Sequence, residues 1–238
     1  MNKNRLGRLT EYLISLVFVP KCVICKERLV PGDAVFCSIC RGKWESAKRV
    51  RCPICGKAMY LCLCTINVML MYQVQALIKL GYYQPNDHGQ IVNQVVYRIK
   101  RTNDRRLSKF LVDQLVQGIR RAYGNCEGWI VTYAPRRSTA IKRYGYDQAA
   151  VLARGIARTM CLECRPLLQV SRYAKEQKAL SVIERMKNAE VSFSVARNVE
   201  IAGKNILLVD DVTTSGATLG RCAQLLNWTD VNIVDRKK

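Results

Sequence analysis

The sequence predicts an α/β protein: a parallel sheet flanked by helices and preceded by a small cysteine-rich module. Three observations carry that prediction. Eight of the twelve cysteines fall between residues 22 and 64, in four close pairs. From about residue 70, apolar strand-like runs alternate with apolar residues at helical spacing, the pattern of strand–helix–strand units. Finally, an apolar run at Ile206–Val209 leads into two acidic residues and a Thr/Ser/Gly turn that opens a helix.

The 238 residues suffice for a small module and one ordinary domain, with boundaries expected at 1–70 and 71–238. A composition of 49% hydrophobic and 24% charged residues buries a real core and excludes a disordered chain. Lys and Arg number 39 against 18 Asp and Glu, a formal charge of +21. Such an excess calls for a polyanionic partner: nucleic acid, a phosphorylated ligand or an acidic membrane surface. Two zinc ions on eight thiolates would leave it at roughly +17. The single histidine, His88, excludes His-rich metal sites and argues against His-based triads; it reads as a surface turn residue without a role.

Lys3, Arg5 and Arg8 precede a short apolar run, Leu13 to Val19, but Pro20 and cysteines follow instead of a small-residue cleavage site. Residues 5–19 read as a short amphipathic helix packed on the next module. The longest apolar run is far below the ~18 residues of a membrane span, so none is expected. The expected location is cytoplasmic, where cysteines are metal ligands more often than disulfides.

The cysteine pairs are Cys22-x2-Cys25, Cys37-x2-Cys40, Cys52-x2-Cys55 and Cys62-x-Cys64. A C-x2-C knuckle sets two thiolates on one tight turn, and two knuckles close a tetrahedral site, so two structural zinc ions are expected. Gly56, directly after Cys55, suits a turn that needs positive φ. Adjacent pairing gives Cys22/25/37/40 and Cys52/55/62/64. Crossed pairing is also open, because eleven residues separate Cys25 from Cys37 and eleven separate Cys40 from Cys52. Cys161-x2-Cys164 has no second pair nearby and reads as incidental, while Cys126 and Cys222 read as small buried residues.

In the α/β part, Val74–Tyr83 is apolar and aromatic enough for a strand, closed by a turn at Gln84-Pro85-Asn86-Asp87. Asp104–Ala122 carries Leu107, Phe110, Leu111, Leu115 and Ile119 at helical spacing. Trp129–Tyr133 is a buried strand, Asp147–Met160 a second helix, Ile206–Val209 a further strand, and Leu219, Cys222, Ala223 and Leu226 mark a last helix.

Asp210-Asp-Val-Thr-Thr-Ser-Gly-Ala-Thr218 has the chemistry of a phosphate cradle. Backbone N–H groups at a helix N-terminus face an anion, and the hydroxyls of Thr213, Thr214, Ser215 and Thr218 add donors. Gly216 lets the backbone come close. Asp210 and Asp211, at the carboxyl end of a strand where α/β sheets bind ligands, can accept hydrogen bonds from a ribose diol. Basic residues are densest at Arg98–Lys109 and Arg136–Arg143. Lys100, Arg101, Arg105, Arg106, Lys142, Arg143 and Tyr144 are candidate nucleic-acid contacts, since cations hold phosphates and rings stack on bases.

The 205–218 segment closely resembles the phosphoribosyl-pyrophosphate (PRPP) loop of type I phosphoribosyltransferases. That resemblance implies their fold, with Asp210 and Asp211 on the ribose 2′- and 3′-hydroxyls and residues 213–218, Ala217 included, around the 5′-phosphate. It also places Pro135-Arg136-Arg137-Ser138 at the pyrophosphate loop, where Arg136 and Arg137 would neutralise charge, with Mg²⁺ accompanying PRPP. Leu16-Val-Phe-Val-Pro20, the cysteine array, Arg143-Tyr-Gly-Tyr-Asp-Gln148, Gln177, Glu184-Arg185 and Asn188, in that order, resemble the ComF family. Tyr146-Asp147 stands where the family pattern has Phe-Asn.

Two functions follow from the resemblance. One is a competence protein of DNA uptake and natural transformation, acting on single-stranded DNA with helicase and recombination-mediator partners. The other is an active phosphoribosyltransferase with an unknown acceptor, although few residues follow Val231–Val234 to build a hood over an acceptor base.

Overall fold

The computed structural model describes residues 20–30, 32–72, 74–84, 87–171, 193–196, 201 and 203–227. The expected helix at 5–19, Gln177, Glu184, Arg185, Asn188 and the run at 231–234 lie outside the described residues.

Two of the three C-x2-C pairs of the cysteine-rich module, Cys22/Cys25 and Cys52/Cys55, are tight turns closed by backbone bonds, whereas Cys37/Cys40 opens a helix. In the first, Cys22 N donates to the Glu27 carbonyl at 2.8 Å and Lys26 N to the Cys22 carbonyl at 3.1 Å. In the second, Cys52 N donates to the Lys57 carbonyl and Gly56 N to the Cys52 carbonyl, both at 2.8 Å. Gly56 has φ 70°, as its position predicts, and Lys26 fills the equivalent place in the first knuckle at φ 67°. Helix α1 (Ser38–Lys48) follows Cys37 and buries Cys40 and Trp44.

A 3₁₀ turn at Met59–Leu61 and a four-residue helix α2 (Asn67–Leu70) lead out of the cysteine region. Helices α3 (Ile91–Arg101) and α4 (Arg105–Tyr123) meet at Asp104, whose carboxylate accepts from Arg106 N and Leu107 N and so caps α4. Phe36, Trp44 and Phe110 form an aromatic triangle with centroid separations of 5.1 to 6.0 Å. Strand β1 (Ile130–Tyr133) lies at the centre of a parallel three-stranded sheet, with β2 (Glu163–Cys164) and β5 (Ile206–Val209) on either side. Its register sets Ile130 against Glu163 and Ile206.

Between β1 and β2 come α5 (Ser138–Tyr144) and α6 (Gln148–Met160). A Cβ on Gly155 of α6 would sit 2.5 Å from Val112 Cγ2, so the α4–α6 approach depends on that glycine. The buried side chains of the first cysteine cluster and of α3, α4 and α6 form one continuous core. Strands β3 (Leu168–Val170) and β4 (Phe193–Val195) make a separate antiparallel ribbon, and α7 (Ala217–Asn227) follows β5.

The prediction of a strand at Val74–Tyr83 is corrected: no ladder forms there. Its amides turn back on the chain that precedes it, Val74 N to the Met69 carbonyl and Leu77 N to the Leu63 carbonyl. The helices predicted at 104–122 and 147–160 are α4 and α6, and the strands at 129–133 and 206–209 are β1 and β5. No helix among the described residues is long and apolar enough to cross a membrane.

Candidate functional site

Strand β5 delivers Asp210 and Asp211 to the carboxyl edge of the sheet, and the turn at 212–216 carries the chain into α7. Gly216 has φ 80°, a backbone state that glycine adopts without strain. Ser215 Oγ accepts from Ala217 N at 3.4 Å, and Gly220 N donates to the Gly216 carbonyl at 2.8 Å, which starts the helix. Asp211 N donates to Asp210 Oδ1 at 2.8 Å. Burial first, and then the neighbouring charge of Asp211, push the Asp210 carboxyl up to about 8. Lys100 Nζ stands 3.7 Å from Asp211 Oδ2.

Lys100 belongs to the stretch read as a nucleic-acid contact, yet it faces the acidic pair. Its placement follows from the Arg143–Gln148 segment. Tyr146 Oη donates to the carbonyls of Ile99 and Thr102, the latter at 2.5 Å, and Gln148 Nε2 donates to the Lys100 carbonyl at 3.2 Å. These carbonyls end α3 and have no partner within that helix. Asp147 caps α6 by accepting from Ala150 N at 3.2 Å and also accepts from Arg136 N at 3.0 Å. One hexapeptide therefore clasps the end of α3, the start of α6 and the loop after β1.

That loop brings in Arg136 and Arg137, both half-buried. Arg136 Nη1 and Arg137 Nη2 are buried with no hydrogen-bond partner among the described residues. Burial pushes the Tyr146 phenol up; the charge of Arg136 opposes that and the charge of Asp211 adds to it, so all three share one neighbourhood. The Arg136 and Arg143 guanidinium groups lie 5.3 and 5.6 Å from the Tyr144 ring centroid. Arg101, 4.1 Å from the exposed Tyr97 ring, faces solvent with Arg105, Lys142 and Arg143. Arg106 instead donates to the Lys21 carbonyl at 3.3 Å, tying α4 to the first knuckle.

Asp210, Asp211, Thr213 and Thr214 line a cavity of about 600 Å³ together with residues of the 74–83 segment, Cys52 and Cys64. The rest of its wall is predominantly apolar.

The thiols group by adjacent pairing: Cys22, Cys25, Cys37 and Cys40 in one cluster, Cys52, Cys55, Cys62 and Cys64 in the other. Within each, all four sulfurs lie within 4.8 Å of one another, with Cys25–Cys37 and Cys55–Cys62 at 3.6 Å. A tetrahedral ion with bonds of about 2.3 Å to sulfur sets its ligands roughly 3.8 Å apart, so both clusters fit zinc. Backbone N–H groups prepare a thiolate in each. For Cys22 burial opposes ionisation, but the amides of Cys37, Cys25 and Ile24 prevail and hold the thiol down to about 7. At Cys52 the Cys55 amide leads and brings it down to about 6. Cys161 ends α6 at φ 57°, exposed, and Cys161 and Cys164 join no such cluster among the described residues.

Sequence reasoning missed Lys100 as the partner of Asp211 and the clasp formed by Tyr146 and Gln148. The signal available was the crowding of Tyr, Asp and Gln in one hexapeptide, but its partners lie more than forty residues away.

No family model matches the chain. Its curated relatives bear the name DNA utilization protein YhgH. The protein from Escherichia coli K12 is 25% identical over 208 residues, 86% of this chain and 89% of that protein. That from Shigella flexneri is 24% identical over the same length, and that from Salmonella typhimurium LT2 26% identical over 216 residues. A match over 86% of the chain is too long for either the cysteine region or the α/β part alone.

Proposed function

We propose that this chain is a ComF-like DNA-utilization protein that handles single-stranded DNA during uptake and binds PRPP, or a related phosphoribosyl ligand, at residues 210–218. The observation that carries the ligand reading is a juxtaposition: an acidic pair that leads into a hydroxyl-rich helix entry has Lys100 at Asp211 and Arg136 in the same neighbourhood, and guanidinium nitrogens of Arg136 and its neighbour Arg137 are without partners among the described residues. A buried donor without a partner costs about 1–3 kcal/mol, which a bound pyrophosphate would relieve. In this reading the carboxylates accept from the ribose hydroxyls, the 213–218 amides and hydroxyls hold the 5′-phosphate, and Mg²⁺ shields the pyrophosphate. The relatives' name supports DNA as the polyanion that the +21 charge calls for. The two cysteine clusters hold structural zinc, the location is cytoplasmic, and a helicase and recombination mediator are the expected partners.

Calorimetry with Mg²⁺–PRPP tests the ligand site. Wild type is expected to bind, and the Asp210→Ala/Asp211→Ala double variant to lose at least tenfold in affinity. Equal affinity in the two would remove residues 210–211 from the site.

The cavity beside Asp210 favours a second reading, phosphoribosyl transfer. An acceptor there would attack C1′ as pyrophosphate leaves, the charge moving onto a leaving group held by Arg136 and Arg137. Release of pyrophosphate that depends on an acceptor would distinguish transfer from binding alone.

A further inference from the structure

The turn that opens α7 does not stand free. A Cβ on Gly216 would lie 3.2 Å from both Cε and Cγ of Met69 and 3.6 Å from Cβ of Ile66, and one on Gly220 would strike the Tyr72 ring at 2.6 Å. The anion turn and the first turn of α7 are therefore seated directly on α2 and its flanks, and Met69 is fully buried in that contact.

Helix α2 is four residues long, far too short to hold its own shape. It leaves directly from the second cysteine cluster. Cys64 lies three positions before Asn67, and the intervening Thr65 is buried. The adjoining backbone is tied down by Leu77 N to the Leu63 carbonyl at 3.0 Å and by Lys79 Nζ to the Cys64 carbonyl at 2.6 Å. The first cluster packs on α3 and α4, in part through Phe36 and Trp44 onto Phe110, and not on α2.

We propose that Met69 is a positioning residue for the 213–218 turn, and that a metal ion at Cys52, Cys55, Cys62 and Cys64 controls through it how firmly that turn is held; the first cluster does not set that turn. An anion site made of backbone amides binds only in the fraction of molecules that holds the amides in place, so apparent affinity falls with that fraction. The consequence for affinity rests on the phosphoribosyl reading of residues 210–218. The coupling itself does not.

The test uses full-length, zinc-loaded protein and two readouts: amide exchange of residues 213–218 without ligand, and Mg²⁺–PRPP binding by calorimetry. Cys64→Ser is expected to speed exchange in the turn at least tenfold and to weaken PRPP by a similar factor. Cys37→Ser should lower the melting temperature yet leave exchange of residues 213–218 within twofold of wild type. Met69→Ala should reproduce the Cys64→Ser effect with zinc still bound, and Met69→Leu should restore wild-type behaviour. Because Met69→Ala leaves every cysteine in place, it still discriminates if the cysteine variants fail to fold. Unchanged exchange in Met69→Ala, or an equal change in exchange of the turn on loss of either cluster, would overturn the proposal. If wild type binds no PRPP while exchange still follows Met69 and the second cluster, the ligand reading falls and the coupling stands.

Discussion

Asp210 shows how a single residue reports on the site. Its carboxyl titrates at about 8 in the fold against 3.8 as an ordinary side chain, because burial and Asp211 disfavour its charge. Between those two values the unfolded chain has released this proton while the folded chain keeps it. The unfolded state therefore binds fewer protons, and this group makes stability fall as pH rises through that window. Asp210→Asn removes the titration. The melting temperature of the variant is expected to gain on that of wild type from pH 5 to pH 8 and to level off above. A difference independent of pH would mean that Asp210 is already ionised. The residue types at 210–218 were legible in the sequence, since strand, acidic pair, hydroxyls and glycine are consecutive. The raised carboxyl was not, because it depends on burial.

At the scale of elements, the Arg143–Gln148 segment decides where Lys100 and Arg136 stand. Tyr146→Phe deletes the hydroxyl shared by the Ile99 and Thr102 carbonyls and leaves them unpartnered, at a cost of about 1–3 kcal/mol. Chemical denaturation should register that loss. Calorimetry should register a weaker PRPP complex, because the end of α3 no longer holds Lys100 at Asp211. Stability equal to wild type would deny the clasp. Helices α4 and α6 were legible because an apolar stripe over thirteen or more residues leaves little else to form. The seven-residue α5, the four-residue α2 and the three-residue strands of the ribbon are too short for periodicity to register. The apolar run at 74–83 read as a strand because composition reports β-propensity; whether a partner strand is there to receive it is a tertiary matter. Equal spacing likewise left the cysteine pairing open, and only the fold chose adjacent pairs.

For the whole molecule the dominant quantity is charge. Lys100 and Arg106 are committed within the fold, while Arg101, Arg105, Lys142 and Arg143 stay in solvent. Four phosphate contacts on single-stranded DNA correspond to a salt slope of about −3 in a log–log plot. The DNA-handling role is tested most directly by titrating zinc-loaded protein with single-stranded DNA at several salt concentrations, with and without Mg²⁺–PRPP. Binding is expected to weaken steeply with salt and to change when PRPP is present. No DNA binding at low salt, with PRPP still bound, would contradict that role and leave phosphoribosyl chemistry as the function.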